Sequence, residues 1–469
     1  MQLVAYGAQD VYLTGQPKVT FFQAVYKRHT NFAMEAILQT VNGSAANGAR
    51  VSVTIARNGD LVGDMWLQLQ PSAGTAQSAM ANLVSTNVTG DWNWVAERAV
   101  AAVELTIGGQ RIDKHYQTWF RLYAEVFLGE SDKYAYGKLA TLANPAYQTT
   151  GTGNMNGNSA NPAYVYLPLL FFFNRNPGLY LPLIALQYHE VRLDFDLTNY
   201  YQSYFGTNAV EVWANYVYLD TEERRRFAQK GHEYLIEQVQ HTGGDTINSS
   251  SETSSALVRL SFNHPVKELV WCYQNPATSA TTNLNAMWNF STGTSNVNVS
   301  ISPVASTYSG SLGQLPHEVG CPHLFSNTNT TFSSSAVSAN AYWIEEGDRN
   351  FTATTGYEVG PLHQFKLVLN GQDRFKEQLG KYFNQYQPYL YHTGTPYAGI
   401  YVYSFALQPE EHQPTGTCNF SRIDNAQVAV WLKTAAVASN SAYNLQKMFA
   451  VNYNILRIQS GMGGLAFSN

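Results

Sequence analysis

The sequence predicts an all-β protein in which two β-sandwiches of the same architecture follow one another. Short runs of alternating apolar and polar residues recur along the chain, separated by loops rich in Gly, Asn, Pro and Ser. Many short strands divided by such loops favour sandwiches over an α/β fold built on a parallel sheet. The predicted strands lie at residues 51–55, 61–69, 103–107, 210–219, 257–262 and 427–432.

An internal repeat indicates that there are two sandwiches. Residues 104–114 read ELTIGGQRIDK, and residues 366–376 read KLVLNGQDRFK. In both, a strand enters a Gly-Gly or Asn-Gly turn, where these residues accept positive φ. The offset between Gly109 and Gly371 is 262 residues (371 − 109), about the size of a sandwich with a long loop. We predict an arm at residues 1–29, a first sandwich at 30–215 and a second at 216–469.

Short helices are predicted in two connections. Asp220 is followed by Thr and two Glu, the pattern of an N-cap and an acidic first turn, so a helix is expected to link the sandwiches there. Residues 116–127 place four aromatic residues on one helical face. Residues 276–340 are rich in Ser, Thr, Asn and Gly and far exceed the usual connection of about 4–6 residues, which predicts an elaborated surface loop. Residues 72–91 and 149–161 are predicted to be shorter loops of this kind.

The segment at residues 171–197 combines a turn with an extended run. Pro177 and Gly178 predict a tight turn between strands at residues 176–179. Residues 188–197 alternate with period 2, which is typical of a half-buried antiparallel strand. This alternation places His189 on the apolar side, so we interpret it as a core-side packing residue and not as a catalyst.

Composition limits the classes of partner. Charged residues make up 13% of the chain against a usual value of about 25%, and there are 31 Tyr, which suits extensive contact with other protein. A large β protein that simply has many Tyr explains the composition equally well. The net charge of −5 gives no basic footprint for nucleic acid, and the basic clusters at residues 27–29 and 224–226 are too short for a phosphate-tracking groove. Direct binding to nucleic acid is not expected.

Cysteine usage and the chain start indicate where the protein is made. Cys272, Cys321 and Cys418 are odd in number and contain no C-x-x-C pair, so neither a disulfide framework nor a zinc site is predicted. Residues 1–7 show no secretory signal, and the longest apolar block, residues 164–173, is too short to span a bilayer. We expect a soluble protein made in the cytoplasm.

No catalytic, cofactor-binding or metal-binding residue is predicted. The best enzyme alternative is a metal-dependent double β-sandwich of the cupin kind, but none of the eleven His has another at i+2. A nucleophile elbow, a P-loop and a G-x-G-x-x-G fingerprint are absent. The weaker candidates are His317 with His323, His232 with His241, Cys321-Pro322-His323, the Gly-rich run at residues 460–464, and Glu410-Glu411-His412.

A carbohydrate-binding sandwich is the alternative from the binding class. It needs exposed aromatic platforms, for which the candidates near loops are Trp92, Trp94, Trp288 and Trp343. N-x-S/T sequons begin at Asn42, Asn87, Asn248, Asn289, Asn298, Asn329, Asn350 and Asn419. Without a secretory signal the usual glycosylation route is closed, although surface glycans on outward loops stay open.

Six segments resemble one protein family. Residues 171–197 read FFFNRNPGLYLPLIALQYHEVRLDFDL, which is similar to the RNPGLxLPLIALQYHEV signature of the major capsid proteins of large icosahedral DNA viruses of algae and protists, the nucleocytoplasmic large DNA viruses. The other five similar segments, in the family's order along the chain, lie at residues 7–33, 262–274, 399–413, 419–425 and 453–469.

The resemblance implies a fold and a set of partners. It implies a double jelly roll, that is, two tandem eight-stranded antiparallel jelly rolls with short helices in the connections. It implies homotrimeric, pseudo-hexameric capsomers that form an icosahedral capsid, assembled in the host cytoplasm. The implied partners are neighbouring capsomers, minor capsid and penton proteins and an inner membrane layer. We expect the arm at residues 7–33 to lie at the capsomer base and the loop at residues 276–340 to project outward.

Overall fold

The computed structural model describes residues 28–71, 94–140, 164–247, 252–274, 360–394, 399–433 and 444–467, together with residues 8, 16, 290 and 396. The predicted loops at residues 72–91, 149–161 and 276–340 lie outside these residues, apart from Phe290, as does most of the arm. Among the residues that are described, none of the helices has the length and apolar character needed to cross a membrane.

The first half of the chain forms an eight-stranded jelly roll. Sheet A has the order β1-β10-β4-β7 with β8 on β4, and sheet B has the order β2-β3-β9-β5-β6. Eight antiparallel strands in two four-stranded sheets are typical of a jelly roll, to which the short β2 and β8 are additions. The strands are β1 (Phe32–Gln39), β2 (Val41–Asn42), β3 (Arg50–Thr54), β4 (Leu61–Leu69), β5 (Val100–Ile107), β6 (Gln110–Tyr116), β7 (Val165–Pro168), β8 (Leu181–Pro182), β9 (Val191–Leu197) and β10 (Glu211–Leu219).

The second half repeats this strand order. Sheet C has the order β11-β20-β13-β17 with β18 and β21 added, and sheet D has the order β12-β19-β14-β15 with β16 added. The predicted double jelly roll is therefore confirmed. The strands are β11 (His232–Thr246), β12 (Ala256–Leu260), β13 (Pro265–Gln274), β14 (Leu362–Leu369), β15 (Gln372–Asp373), β16 (Gln378–Leu379), β17 (Ile400–Ser404), β18 (Cys418–Asn419), β19 (Ala426–Leu432), β20 (Leu445–Gln459) and β21 (Met462–Leu465).

The sequence repeat marks the same hairpin in both jelly rolls. It joins β5 to β6 in the first and β14 to β15 in the second. The turn residues are left-handed in both, with φ of 57° and 82° at Gly108 and Gly109 and of 51° and 77° at Asn370 and Gly371. Gly and Asn are the residues that adopt this conformation at little cost, which is why the turn sequence recurs.

Short helices occupy connections between strands, as predicted. The α-helices are α1 (Gln117–Phe127), α2 (Glu130–Ala140), α3 (Phe172–Arg175), α4 (Tyr201–Phe205), α5 (Thr221–Gln229) and α6 (Gln387–Tyr391), and a π-helical turn (Tyr382–Tyr386) leads into α6. Helix α5 is the predicted linker. The Asp220 side chain caps it by accepting a hydrogen bond from the Thr221 NH at 2.8 Å, and Arg224 on α5 pairs with Asp60 of the first jelly roll at 3.0 Å.

The end of the first jelly roll can be compared with the predicted domain boundary. Strand β10 pairs with β1 as far as Leu219, so the predicted boundary after Asn215 falls inside a strand. The division into domains stays a prediction, and we propose to place the boundary at α5.

The segment at residues 171–197 is partly as predicted. Asn176 accepts a hydrogen bond from the Gly178 NH at 2.9 Å and caps a single 3-10 turn (Pro177–Leu179), so the tight turn is confirmed. The element before it is α3 and not a strand. Strand β9 begins at Val191, and its odd-numbered residues are buried in the sandwich as expected. His189 precedes the strand and is half-buried, so its placement in the alternating pattern is wrong.

Two apolar clusters form the interior. The smaller cluster lies between sheets C and D and includes Leu269, Trp271 and Tyr401. The larger one fills the first jelly roll and continues into the second, where it includes Val270 and Phe449. Neighbouring residues of β13 therefore belong to different clusters, because successive side chains of a strand point to opposite faces.

Candidate functional site at the junction of the two jelly rolls

The residues considered for catalysis do not converge on one site. Glu410 accepts a hydrogen bond from the Thr393 NH at 2.8 Å, whereas His412 lies 3.6 Å from Glu237 on another element. Residues 460 and 461 form the turn between β20 and β21. In the described ranges, no group of three or more His, Cys, Asp or Glu is arranged to hold a metal ion.

Of the remaining candidates, Trp94 is buried, His232 and His241 are half-buried against aromatic rings, and the others fall outside the described residues. Trp94 is 1% exposed, so it cannot be an exposed sugar platform. The His232 ring lies 5.4 Å from that of Phe227, and the His241 ring lies 4.3 Å from that of Phe449, both in stacked geometry. The other candidates, Trp92, Trp288, His317, Cys321, His323 and Trp343, lie outside the described residues.

The two jelly rolls are in extensive contact with each other. The outer face of sheet C is the face turned away from sheet D. One row of side chains crosses its four strands β11, β20, β13 and β17, and its paired residues are His241, Phe449, Val270 and Val402. The last three are fully buried and belong to the cluster that fills the first jelly roll. Strand β13 is thus covered on both faces, whereas an antiparallel sheet commonly leaves one face in water.

Helix α1 covers this row of sheet C. The Trp119 ring lies 5.5 Å from the Phe449 ring, and Lys447 donates a hydrogen bond to the Thr118 hydroxyl at 3.2 Å. The Phe127 ring at the end of α1 meets His392 of the second jelly roll edge-on at 5.3 Å. Helix α1 is amphipathic, and Trp119 and Phe127 of its aromatic side pack against the second jelly roll.

A second zone of contact lies at β21. The Tyr188 NH donates to the Gly461 carbonyl at 3.0 Å, and the Leu465 NH donates to Gln110 Oε1 at 3.1 Å. These bonds tie the loop before β9 and the hairpin of β5 and β6 to the C-terminal hairpin of the second jelly roll.

His189 belongs to this second zone. Its Nδ1 lies 2.9 Å from the Gly463 carbonyl oxygen and 3.1 Å from the Gly463 nitrogen, and the tautomer decides which of the two it bonds. Its ring occupies the space that a side chain at Gly108 would fill. His189 therefore packs between the two jelly rolls and not in the core of the first.

A buried charge cluster connects the two jelly rolls. Glu237 on β11 pairs with Lys267 Nζ at 2.6 Å and with Arg175 Nη2, from the first jelly roll, at 3.1 Å. Burial by itself raises the pKa of Glu237, but His412, Lys267 and Arg175 together lower it to about 2. The carboxylate therefore stays ionised, and a cation from each jelly roll compensates it.

A second buried pair lies on the next residue of β13. Glu268 is fully buried, and its Oε2 lies 3.1 Å from His392 Nε2, while the other nitrogen, Nδ1, lies 3.3 Å from Glu410 Oε1. Burial lowers the pKa of His392, but the charge of Glu268 and hydrogen bonds to Glu268 and Glu410 raise it to about 9. His392 is therefore protonated at neutral pH.

These junction residues are not among those predicted from the sequence. A signal was present in β13, where PVKELVWCYQ places Lys267 and Glu268 inside an otherwise apolar run. Such a run without alternation is typical of a strand buried on both faces. Charged residues inside it need buried partners, because isolated charges are too costly to desolvate. Sequence alone does not show that Arg175 and His392 are the partners.

The geometry defines a class of protein. The chain contains two jelly rolls of one topology, and an apolar core runs from the first onto the outer face of the second. This arrangement defines a double jelly-roll protein whose two lobes are joined by a buried junction.

Family comparisons identify the chain within this class. Residues 20–220 match the family model described as major capsid protein N-terminus, and residues 223–464 match that of the large eukaryotic DNA virus major capsid protein. The chain belongs to the family of major capsid proteins of large eukaryotic DNA viruses, and its role is structural, in the capsid. The resemblance found in the sequence is confirmed.

Individual relatives are similar in sequence to this chain over its whole length. The major capsid protein of Paramecium bursaria Chlorella virus 1 is 41% identical and that of Phaeocystis pouchetii virus is 39% identical, each comparison covering 100% of this chain and 99% of the relative. A chain of the quasi-atomic PBCV-1 virus capsid model superposes with a TM-score of 0.68 at 36% identity, covering 96% of this chain and 100% of that chain. The Faustovirus major capsid protein shares the fold, with a TM-score of 0.61 at 12% identity.

Removing the buried carboxylate of the charge cluster is expected to destabilise the protein. Glu237→Gln leaves Lys267 buried without a full counter-charge, which should cost about 3–5 kcal/mol, as for other broken buried pairs. Glu233→Gln on the same strand is the matched control, because Glu233 forms an exposed pair with Arg457 that is worth about 0–1 kcal/mol. Chemical denaturation measures both variants. Equal losses in the two would contradict the structural role of Glu237.

The raised pKa of His392 predicts a pH-dependent stability. Because the folded pKa of about 9 lies above the ordinary value of about 6.5, the stabilisation is complete below about 6.5 and is lost as the pH rises through 9. The stability difference between wild type and His392→Gln, about 3 kcal/mol at pH 6, should shrink by pH 10. Thermal unfolding between these pH values measures it. A difference that does not change with pH would rule out this linkage.

Proposed function

We propose that three copies of this chain form a homotrimeric, pseudo-hexameric capsomer and that such capsomers build the icosahedral shell of a large DNA virus. The observation that supports this most is the continuous apolar core, which joins two lobes of one topology in a fixed arrangement. Three such chains present six similar lobes around a threefold axis, which fills hexagonal space while keeping closed cyclic symmetry. The similarity to the PBCV-1 capsid chain supports the same assembly.

We infer that the chain is not an enzyme. The curated relatives are named capsid proteins. The acid–base candidates Glu410 and His412 contribute to the junction through their contacts with His392 and Glu237. The cupin-like and carbohydrate-binding alternatives are not favoured.

We propose several further partners from the family resemblance. They are neighbouring capsomers, minor capsid and penton proteins, and a membrane layer beneath the shell, with assembly in the host cytoplasm and no direct contact with nucleic acid. Among the sequons in described residues, Asn42 is exposed in β2, while Asn419 caps a 3-10 turn by accepting from the Ser421 NH at 3.0 Å. Asn42 is therefore the better placed of the two for a surface glycan.

The trimer is tested by the mass of the purified protein. Three chains of 52.1 kDa give a particle of 3 × 52.1 = 156.3 kDa. Size-exclusion chromatography with light scattering should find this mass over a range of concentrations, because closed symmetric rings are discrete species. A protein that stays at the mass of one chain would contradict the proposed capsomer.

The arm is proposed to act between capsomers and not within them. Deleting residues 1–29 leaves every described strand intact, since β1 begins at Phe32. The truncated protein should still form trimers of the full-length type but should assemble into shells poorly, as seen by electron microscopy. If the truncation abolished the trimer itself, the arm would have to be part of the trimer interface.

A further inference from the structure

The second jelly roll carries an element equivalent to α1. Helix α1 follows the repeated hairpin of the first jelly roll and precedes β7, the edge strand of sheet A. The π-turn with α6 follows the same hairpin of the second jelly roll and precedes β17, the equivalent edge strand of sheet C. Their apolar stripes share the i, i+4, i+8 spacing, with Trp119, Tyr123 and Phe127 in one and Tyr382, Tyr386 and Leu390 in the other. The offset of 263 residues (382 − 119) is within one residue of that between the hairpins.

The two stripes also resemble each other in geometry. The rings of Tyr123 and Phe127 are stacked with centroids 4.9 Å apart, and those of Tyr382 and Tyr386 are stacked 5.5 Å apart. Each connection therefore presents a pair of neighbouring aromatic rings on one side.

The two stripes differ in what covers them. Trp119 and Phe127 pack on the second jelly roll of the same chain. By contrast, Tyr386 is 51% exposed and the adjacent Tyr389 is 81% exposed. With Lys381, Tyr382 and Gln385, these two residues line an open groove. The second stripe has no covering surface within the described part of this chain.

The sheet that would cover it is present on the first jelly roll. In sheet C, the row across the four strands is His241, Phe449, Val270 and Val402, and α1 covers it. In sheet A, one outer-face row across the equivalent strands β1, β10, β4 and β7 is Leu38, Trp213, Trp66 and Pro168.

Within the described residues, this outer face of sheet A carries exposed apolar side chains. Leu38 and the neighbouring Met34 are about half exposed, at 49% and 50%. The rings of Trp66 and Trp213 stack on each other with centroids 6.5 Å apart and planes inclined by 5°. Large exposed apolar patches of this kind mark interaction sites. In sheet C the equivalent row is buried.

We propose that the groove formed by the π-turn and α6 of one chain docks on the outer face of sheet A of a second copy of the same chain. The contact of α1 with sheet C within one chain is the template for this docking. In the proposed contact, the π-turn with α6 takes the place of α1, and sheet A takes the place of sheet C. Charge agrees with this pairing, since Lys381 borders the groove and Glu211 and Asp64 lie on sheet A.

The contact is heterologous, which determines how it propagates. In the part of the chain that the structure describes, each copy offers an exposed helix and an exposed sheet face. Every copy can therefore bind one neighbour on each side, and a closed ring of copies is the expected assembly. In the trimer of the proposed function, on which this inference rests, three such contacts alternate with the three intrachain junctions. Six similar helix-on-sheet contacts then surround the axis.

Charge substitution and cross-linking test the contact. Tyr386→Glu and Leu38→Glu should each raise the concentration for half-trimerisation by about tenfold or more, because each removes a large apolar side chain from the buried contact. Leu257→Glu is the matched control, since Leu257 is 64% exposed on β12, away from both surfaces. It should leave the trimer unchanged. Circular dichroism verifies that the variants keep the wild-type fold.

The cross-link identifies the two surfaces directly. Leu38→Cys with Tyr386→Cys, treated with a short bis-maleimide, should give covalent dimers and trimers that neither single variant nor the pair Leu257→Cys with Tyr386→Cys gives. A wild-type trimer that survives both Glu substitutions and gives no specific cross-link would overturn this contact and leave the trimer standing. A wild-type protein that is monomeric would overturn both.

Discussion

The burial of the outer face of sheet C against the first jelly roll is the constraint on which the rest of the molecule depends. An isolated jelly roll buries only the faces that its two sheets turn towards each other. Here Phe449 and Val270 lie on the far side of sheet C and are as fully buried as Trp271 on the near side. At roughly 25 cal/mol for each Å² of apolar surface removed from water, this second buried face strongly favours one arrangement of the lobes over separated ones.

Burial on both sides explains the unusual charges of the junction. Lys267 and Glu268 lie in a strand with no wet face, so each needs a partner in the interior. Glu237 receives one cation from its own jelly roll and one from the other. Buried pairs contribute little net stability compared with apolar packing, but breaking one is costly, so a displaced or rotated arrangement of the lobes is penalised. We interpret the charges as fixing the geometry of the junction, while the apolar contact supplies its strength.

Much of the fold could be predicted from the sequence because the relevant signals are local. Alternation located β3, β4 and β19, Asp220 located the start of α5, and the Gly-Gly and Asn-Gly turns marked one hairpin in both halves. The junction could not be predicted in the same way. Its partners are far apart in sequence, as with Arg175 and Glu237, and the pairing depends on how two complete domains pack. His189 shows the limit of periodicity. The alternating pattern begins before β9 does, so it assigned the His189 side chain to the core of the first jelly roll, whereas the side chain packs between the two jelly rolls.

A capsid protein needs lobes that hold their mutual orientation while neighbours pack against them, and the continuous core provides this within one chain. The central claim is therefore that the two jelly rolls behave as a single cooperative unit. Differential scanning calorimetry of the protein tests it most directly. One unfolding transition that includes both jelly rolls is the predicted result, and two separate transitions, one for each jelly roll, would contradict it.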